Sequence, residues 1–268
     1  MNQKVKNLFI TGGSRGLGAA TCLAMAKQNW HVIFTYHKEE QAALKVVNQI
    51  KEAGFSAECH CADVLNKDGM HRIASHLKAR NIQLDLLIHN AVPSFIRNRL
   101  SKNSWEDDYL KQINVSSLGF INTLNSFKGI MTKDSLLIAI LTSSLFVHGG
   151  DALSPYLAGK GALWGICKGC YKELLSKGIK LICLSPVATK TDLLLESLGK
   201  HPRQIELMAE TLNSGDVALP NEIADQLARL ITQQEQIPTP PESPVHLLVE
   251  KNCLSELEIN ASEYVLPN

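Results

Sequence analysis

Short apolar runs alternate with longer helical patterns along this chain, and that alternation limits its possible folds more than any other feature. The runs lack the polar alternation of half-exposed strands, which is typical of strands that are covered on both faces. They lie at residues 8–10, 31–36, 57–61, 84–89, 136–141, 179–184 and 245–249. The pattern predicts an α/β fold: a doubly wound parallel sheet of about seven strands, with helices on both faces.

The segments between these runs have the residue spacing of helices. In the third segment, apolar residues share one helical face, and Gly54 provides a C-terminal stop for the second. We predict helices at residues 18–28, 39–53, 67–80, 105–127, 155–176 and 221–231, the last of them capped by Asn221.

Two segments depart from this rhythm. Residues 190–216 have a helical composition but a loose pattern, and we predict that they form a segment that covers the substrate. Residues 233–268 contain a cluster of prolines and no glycine, which predicts an atypical C-terminal segment, a linker followed by a last strand. The length of 268 residues otherwise fits one domain over residues 1–268.

Charge is nearly balanced along the chain. Lys and Arg number 27 and Asp and Glu 26, so the formal net charge is +1. This balance argues against a nucleic-acid partner, because nucleic-acid binding relies on a strong positive field. The longest apolar stretch, residues 136–147, is interrupted by Thr142, Ser143 and Ser144 and is too short for a membrane span, so we predict no membrane partner.

The seven cysteines, an odd number, do not suggest a disulfide framework. Cys167 and Cys170 form a C-x-x-C motif, but no second pair lies at zinc spacing, so no metal is predicted. The apolar run before Thr11 is too short for a signal peptide. Reduced thiols together with this N-terminus predict a cytoplasmic protein.

A glycine-rich turn follows the first strand directly and leads into the first helix. Such a turn lets the backbone approach a pyrophosphate, and the helix N-terminus offers free N–H groups to the anion. The predicted strand before the turn and the predicted helix after it are the context that a dinucleotide site requires. The predicted contacts from this turn are Gly12, Ser14, Arg15, Gly16, Leu17 and Gly18.

The end of the second strand indicates which dinucleotide binds. An NAD site usually has an acid here to accept a hydrogen bond from the ribose 2′-hydroxyl. This strand instead ends Tyr36, His37, Lys38, with no acid before Glu39. Together with Arg15, these residues suit a 2′-phosphate, which a carboxylate would repel. We therefore expect NADP(H) as the cofactor.

Tyr156 and Lys160 are four residues apart, so their side chains lie one above the other on a helix face. A nearby ammonium favours phenolate and brings the phenol pKa down from about 10. The pair is therefore a candidate general acid or base at a carbonyl or an alcohol.

Three further polar residues lie near predicted strand ends or inside a helix. Ser143, or its neighbour Ser144, follows the fifth strand at the sheet edge where doubly wound proteins bind ligands. Asn114 lies inside an apolar helical pattern, where it either holds a water in a proton relay or bonds only backbone. Asn90 ends the fourth strand, from which it can brace the cofactor loop.

Together these pieces resemble the short-chain dehydrogenase/reductase family. The resemblance covers about residues 5–232 in the expected order. It implies a Rossmann-like fold over a single dinucleotide-binding catalytic domain. The matching pieces are the turn at residues 11–18, Asp63, residues 89–91, Asn114, Ser143, Tyr156 with Lys160, and residues 186–191.

The resemblance also implies a role for each matching residue. Tyr156 donates a proton to the substrate oxygen, Lys160 lowers its pKa and binds the nicotinamide ribose, Ser143 polarises the carbonyl, and Asn114 supports the relay. The implied cofactor contacts, besides the turn and strand end named above, are Asp63 and Val64 at adenine, Asn90 and Ala91 at the ribose, and Pro186 and Thr191 at the nicotinamide.

The resemblance implies an NADPH-dependent oxidoreductase of carbonyls and secondary alcohols, most similar to a 3-oxoacyl-thioester reductase. A pteridine-type reductase and a non-catalytic NADP-binding sensor are the alternatives. Val187 stands where the family usually has glycine, and the family's glycine-rich C-terminal strand is missing. We expect a homodimer or homotetramer, paired through the helices at 105–127 and 155–176.

Overall fold

A computed structural model describes residues 5–95, 97–147, 152–198, 217–233, 237–251 and 253–256. The strands are β1 (Asn7–Ile10), β2 (His31–Tyr36), β3 (Ala57–Cys61), β4 (Leu84–His89), β5 (Met131–Ile140), β6 (Lys180–Pro186), β7 (Val245–Val249) and β8 (Leu254–Glu256). The helices are α1 (Gly16–Lys27), α2 (Glu40–Glu52), α3 (Lys67–Ala79), α4 (105–127, in four consecutive segments), α5 (Ser154–Ser176), α6 (Asp192–Ser197) and α7 (Pro220–Thr232).

The strands form one sheet in the order β3-β2-β1-β4-β5-β6-β7-β8. Strands β1 to β7 are parallel, and β8 pairs antiparallel with β7. Helices α1, α2 and α7 cover one face, and α3, α4 and α5 cover the other. The predicted doubly wound α/β fold is confirmed, and its ligand edge is the carboxyl end around β1 and β4, where the strand order reverses.

The described sheet has eight strands instead of about seven. The extra strand, β8, is a three-residue edge strand of sequence Leu-Ser-Glu, too short to show a pattern in the sequence. Strand β7 confirms the predicted strand at 245–249, although β8 follows it and β7 is therefore not the last strand. In the predicted covering segment at 190–216, α6 occupies Asp192–Ser197, and residues 199–216 lie outside the described residues.

Asn221 does not cap the last helix, which corrects our prediction. Helix α7 begins one residue earlier, at Pro220, with Leu219 at the cap position. Proline suits the first helical position because its fixed φ is helical and its missing N–H has no partner there. The Glu222 carboxylate accepts a hydrogen bond from the Leu219 N–H at 2.8 Å, so it caps the helix in place of Asn221.

Helix α4 fills the predicted range 105–127 but is not uniformly α-helical. It consists of two π-helical segments, Trp105–Leu110 and Asn114–Leu118, and two α-helical segments, Lys111–Ile113 and Gly119–Phe127. Helix α5 crosses α4 closely at Gly159, where a Cβ atom would lie 2.7 Å from the Gln112 carbonyl oxygen. This close crossing places Tyr156 and Lys160 beside α4.

None of the helices among the described residues combines the length and apolar character that crossing a membrane requires. Cys167 is buried, and the Cys170 thiol donates to its carbonyl oxygen at 3.6 Å. Within the described ranges, no cluster of three potential His, Cys, Asp or Glu ligands is suited to a metal ion.

Candidate active site

A hydrogen-bonded clamp joins the carboxyl ends of β1 and β4. The Thr11 hydroxyl oxygen accepts from the backbone N–H groups of Asn90 and Ala91, each at 3.0 Å. The Asn90 amide donates to the carbonyl oxygens of Thr11 at 3.0 Å and Gly12 at 3.1 Å. Asn90 therefore braces the glycine-rich turn, in the position that its place in the sequence indicated.

The glycine-rich turn needs glycine for both conformation and space. Gly12 and Gly16 have positive φ angles of 70° and 55°, which L side chains rarely adopt. A Cβ on Gly18 would lie 2.1 Å from the Gly12 carbonyl oxygen and 2.7 Å from the Asn90 amide nitrogen. The turn thus lies directly against the first turn of α1, whose unpaired N–H groups are of the kind that attract an anion.

A cavity of about 630 Å³ runs along this edge of the sheet, within the usual size range of ligand sites. All the residues predicted to bind the cofactor line it. They are Gly12, Ser14, Arg15, Gly16, Leu17, Gly18, Tyr36, His37, Lys38, Asp63, Val64, Asn90, Ala91, Tyr156, Lys160, Pro186 and Thr191. The fold therefore brings together segments that are up to about 180 residues apart along the chain.

Basic residues line the cavity beyond the end of β2. His37 and Lys38 directly follow β2 and form the basic end of the cavity, and Arg15 lines the cavity from the glycine-rich turn. The His37 imidazole is 3.8 Å from the Asp63 carboxylate, and the buried Tyr36 side chain points its hydroxyl at Glu40, 3.3 Å away. Arg and Lys side chains on a cavity wall can attract a phosphate group.

The Tyr156 ring packs against a second aromatic ring beside the cavity. It stacks on Phe95, with ring centroids 4.8 Å apart and an interplanar angle of 17°. Burial raises the pKa of Tyr156 above its usual value, while a side-chain hydrogen bond with Thr142 and the positive charge of Arg97 lower that pKa. Burial is the largest effect, so the phenol keeps its proton at neutral pH.

Lys160 is buried, and its Nζ atom donates a hydrogen bond to the Ile140 carbonyl oxygen at 2.7 Å. Nζ lies 5.8 Å from the centre of the Tyr156 ring. Burial lowers the pKa of Lys160 to about 8. For Tyr156, burial outweighs the effects of Thr142 and Arg97 on the phenol pKa, and the expected role of Lys160 in lowering that pKa stays a prediction.

Ser143 and Asn114 lie next to the cavity without being among its lining residues. Ser143 is buried in a 3₁₀ turn (Ser143–Leu145) after β5, and the side chains that line the cavity from this turn belong to Thr142 and Ser144. Asn114 begins the second π-helical segment of α4, and its carbonyl oxygen accepts from the Gly119 N–H. π-helical turns often occur at functional sites. The predicted roles of Ser143 and Asn114 stay predictions.

Sequence reasoning did not single out the cavity residues Thr142, Arg97 and Glu196. Thr142 had a signal, since it lies at the same strand end as Ser143. Glu196 lies in the covering segment predicted at 190–216, but no motif marks either Glu196 or Arg97 individually. Arg97 is fixed through its backbone N–H, which donates to the Ser197 carbonyl oxygen at 3.2 Å, so the loop after β4 is attached to α6.

A doubly wound sheet with a glycine-rich turn at its switch point, and a Tyr-Lys pair at the same edge, defines a dinucleotide-binding oxidoreductase. The family model of short chain dehydrogenases matches residues 6–200. The chain belongs to the short-chain dehydrogenase family.

Two relatives and one solved structure illustrate the similarity. The chain is 25% identical over 230 residues to "Uncharacterized oxidoreductase YmfI" of Bacillus subtilis (strain 168), covering 85% of this chain and 92% of that protein. It is 29% identical over 195 residues to a 3-oxoacyl-(acyl-carrier-protein) reductase of Synechocystis sp., covering 72% and 78%. A short chain dehydrogenase from Burkholderia cenocepacia J2315, in complex with NADP, has a TM-score of 0.78 at 22% identity, covering 92% and 96%.

Proposed function

We propose that this protein reduces a ketone to a secondary alcohol with NADPH, and that its substrate is a 3-oxoacyl thioester. The Tyr156 phenol lines the cavity beside Thr142, with the Lys160 Nζ atom 5.8 Å from its ring centre, and this arrangement is the observation that carries the proposal. A phenol that keeps its proton serves as a general acid, which is the role that a carbonyl requires when it is reduced.

The glycine-rich turn and the basic end of the cavity support NADPH as the cofactor. Glycine at position 12 lets the turn lie close to β4, since a Cβ there would be 3.3 Å from the Asn90 amide nitrogen and from the Ala91 Cα atom. Helix α1 begins directly after the turn, and its N-terminal N–H groups suit a pyrophosphate. Arg15, His37 and Lys38 line the cavity, and we assign them to a 2′-phosphate because basic side chains bind phosphate. The structurally similar Burkholderia protein contains NADP, which agrees with this choice.

The chain's own residues supply position and a proton. When bound, the reduced nicotinamide supplies the hydride. Tyr156 donates the phenol proton to the substrate oxygen as negative charge develops on it. Lys160, fixed by the Ile140 carbonyl, keeps a positive charge behind the phenol. The hydroxyl groups of Thr142 and Ser144 line the cavity nearby, and we assign polarisation of the carbonyl to this turn, which includes the predicted residue Ser143.

The cavity walls support a substrate with an apolar part next to the carbonyl. Phe95, Leu153, Leu193 and Leu194 contribute apolar surface, and Lys111 adds an exposed cation at the rim. The apolar residues suit an acyl chain, and Lys111 suits the anionic carrier of a thioester. The Synechocystis relative carries the name of a 3-oxoacyl-(acyl-carrier-protein) reductase.

A substrate panel tests this function. We expect NADPH-dependent reduction of a 3-oxobutyryl thioester with a kcat/KM at least about tenfold above that of a simple ketone, because binding of the remote thioester part is used for catalysis. Turnover should be measured by NADPH oxidation with a thioester, a plain ketone and a dihydropterin. Faster NADPH oxidation with the dihydropterin than with the thioester would contradict the proposed substrate. A complete lack of NADPH oxidation with all three compounds would contradict the proposed activity.

A pteridine-type reductase is the second candidate, and the stacked rings of Phe95 and Tyr156 favour it. Two parallel aromatic rings at a cavity wall offer a flat surface to a planar heterocycle. The same panel separates the two substrates. A non-catalytic NADP-binding sensor would bind NADPH and fail to oxidise it with any substrate.

We keep the predicted homodimer or homotetramer as part of this proposal. Helix α4 exposes the apolar side chains of Leu118 and Ile121. Ile121 also lines a groove between α4 and α5, together with Ile166 and Leu174. Exposed apolar side chains on α4, beside an apolar groove shared with α5, support pairing through these two helices.

The reduction rate should fall above about pH 8, and this is a prediction about Lys160. Its pKa is lowered to about 8 by burial, so its positive charge is present below that pH and lost above it. The other buried groups near it do not titrate there, because the His89 pKa is lowered to about 3 and that of Tyr156 is raised. We expect kcat/KM to be level between about pH 6 and 7.5 and to fall roughly tenfold per unit at higher pH.

The profile should be measured with NADPH saturating and substrate well below KM. The Kd for NADPH should be determined in the same buffers, so that a loss of binding is not mistaken for a loss of the proton-transfer step. A rate that stays level to pH 9.5 would show that the charge on Lys160 is not needed.

A further inference from the structure

An ion pair connects the glycine-rich turn with the helix on the substrate side of the cavity. The Arg15 guanidinium lies 3.4 Å from the Glu196 carboxylate, and the two residues are 181 positions apart in the chain. Both side chains are partly exposed, 42% and 35% respectively, and both line the cavity. Glu196 therefore pairs with Arg15, the cation that the proposed function assigns to the 2′-phosphate.

Helix α6 is fixed in place beside this turn, so the approach of Glu196 follows from the fold. Thr191 caps α6 by accepting from the Leu194 N–H, and its methyl group would lie 3.2 Å from a Cβ on Gly16. At the other end of α6, the Ser197 carbonyl accepts from the Arg97 N–H. Glu196 is thus carried on a helix attached at both ends to the cavity wall.

A phosphate and a carboxylate compete for one guanidinium. Arg15 can pair with Glu196 or grip a phosphate, and a carboxylate left beside a phosphate of charge near −2 repels it. A ribose with a free 2′-hydroxyl has no such charge, so the competition applies only to the phosphorylated cofactor.

We propose that Glu196 is a specificity-determining residue that competes with the cofactor 2′-phosphate for Arg15 and so weakens the binding of NADP(H). The proposal rests on the proposed use of NADP(H). The ion pair would then affect turnover, because product release is the rate-limiting step in many enzymes. A carboxylate that returns to Arg15 promotes departure of the oxidised cofactor.

Removing the charge of Glu196 should tighten NADPH binding. For Glu196→Gln we expect a Kd for NADPH about three- to tenfold lower, since an exposed ion pair of this kind is weak and its loss frees Arg15. The Kd for NADH should stay within about twofold. Stopped-flow release of NADP⁺ should slow by a similar factor. The gain should shrink at high salt, because salt screens exposed charges.

Two further variants make the test specific. In an Arg15→Gln background, Glu196→Gln should change the Kd for NADPH by less than about twofold, because the interaction is pairwise. Asp192→Asn removes another exposed charge from the same helix, and Asp192 forms no ion pair within the described part of the chain. It should tighten NADPH binding by less than about twofold. Circular dichroism verifies that each variant is folded.

Titration of each protein with NADPH and with NADH by intrinsic fluorescence gives the Kd values directly. An unchanged Kd for NADPH in Glu196→Gln, or an equal gain for NADH, would overturn the proposal while leaving NADP(H) use intact. A wild-type protein that binds NADH as tightly as NADPH would instead overturn the proposed cofactor, and this inference with it.

Discussion

Tyr156→Phe is expected to lower kcat for ketone reduction by about a thousandfold, because a positioned general acid typically contributes between a hundredfold and ten-thousandfold. The substitution removes only the hydroxyl. The phenylalanine ring keeps the stacking on Phe95, whose centroid lies 4.8 Å away. Cofactor contacts from the glycine-rich turn and the basic end of the cavity are untouched, so we expect the Kd for NADPH to stay within about threefold.

Tyr171→Phe is the matched control for this prediction. Tyr171 lies on the same helix, α5, and its hydroxyl donates to the Pro240 carbonyl oxygen away from the cavity. Losing that hydrogen bond costs about 1 kcal/mol of stability and should leave kcat unchanged. Single-turnover NADPH oxidation gives the chemical step for both variants. A Tyr156→Phe protein with wild-type turnover would eliminate the phenol as the proton donor.

The cofactor half of the site was predictable because its chemistry is local. Each feature can be recognised from its own stretch of sequence: glycine at a strand-to-helix turn, an amide at the end of β4 and basic residues at the end of β2. The sheet then brings these ends together, since parallel strands present their carboxyl ends at one edge. Arg15 and Asn90 lie where the sequence indicated for this reason.

The catalytic half was less predictable because it depends on side-chain direction. Thr142, Ser143 and Ser144 are three consecutive hydroxyl residues, and the 3₁₀ turn that follows β5 decides which of them faces the cavity. A tyrosine pKa likewise depends on the balance of burial and charge around it. The Tyr156–Lys160 spacing indicates a nearby charge but not the burial of the phenol.

Contacts between distant segments could not be predicted from the sequence patterns. Arg15 and Glu196 meet only because α6 packs on the glycine-rich turn, and neither residue has a partner signature in its own neighbourhood. The same holds for β8, whose pairing with β7 is set by tertiary structure and not by the pattern of three residues.

Gly18→Ala is expected to weaken NADPH binding by at least about a hundredfold and to lower the free energy of unfolding by about 1–3 kcal/mol, as overpacking generally does. The added methyl would lie 2.1 Å from the Gly12 carbonyl oxygen and 2.7 Å from the Asn90 amide nitrogen. Ordinary contact needs well over 3 Å, so the turn must move away from α1. That movement breaks the Asn90 bonds to the turn, which are 3.0 and 3.1 Å long.

Gly165→Ala is the matched control for this change, because no atom lies within 4 Å of a Cβ at that exposed position in α5. Alanine also favours a helix over glycine by about 0.8–1.0 kcal/mol, so this variant should be as stable as the wild type or more stable. Urea unfolding measures the stability of both variants, and fluorescence titration with NADPH measures the affinity. If Gly18→Ala binds NADPH like the wild type, close contact between the turn and α1 is not what forms the phosphate site, and the pyrophosphate must be held by other groups along the cavity.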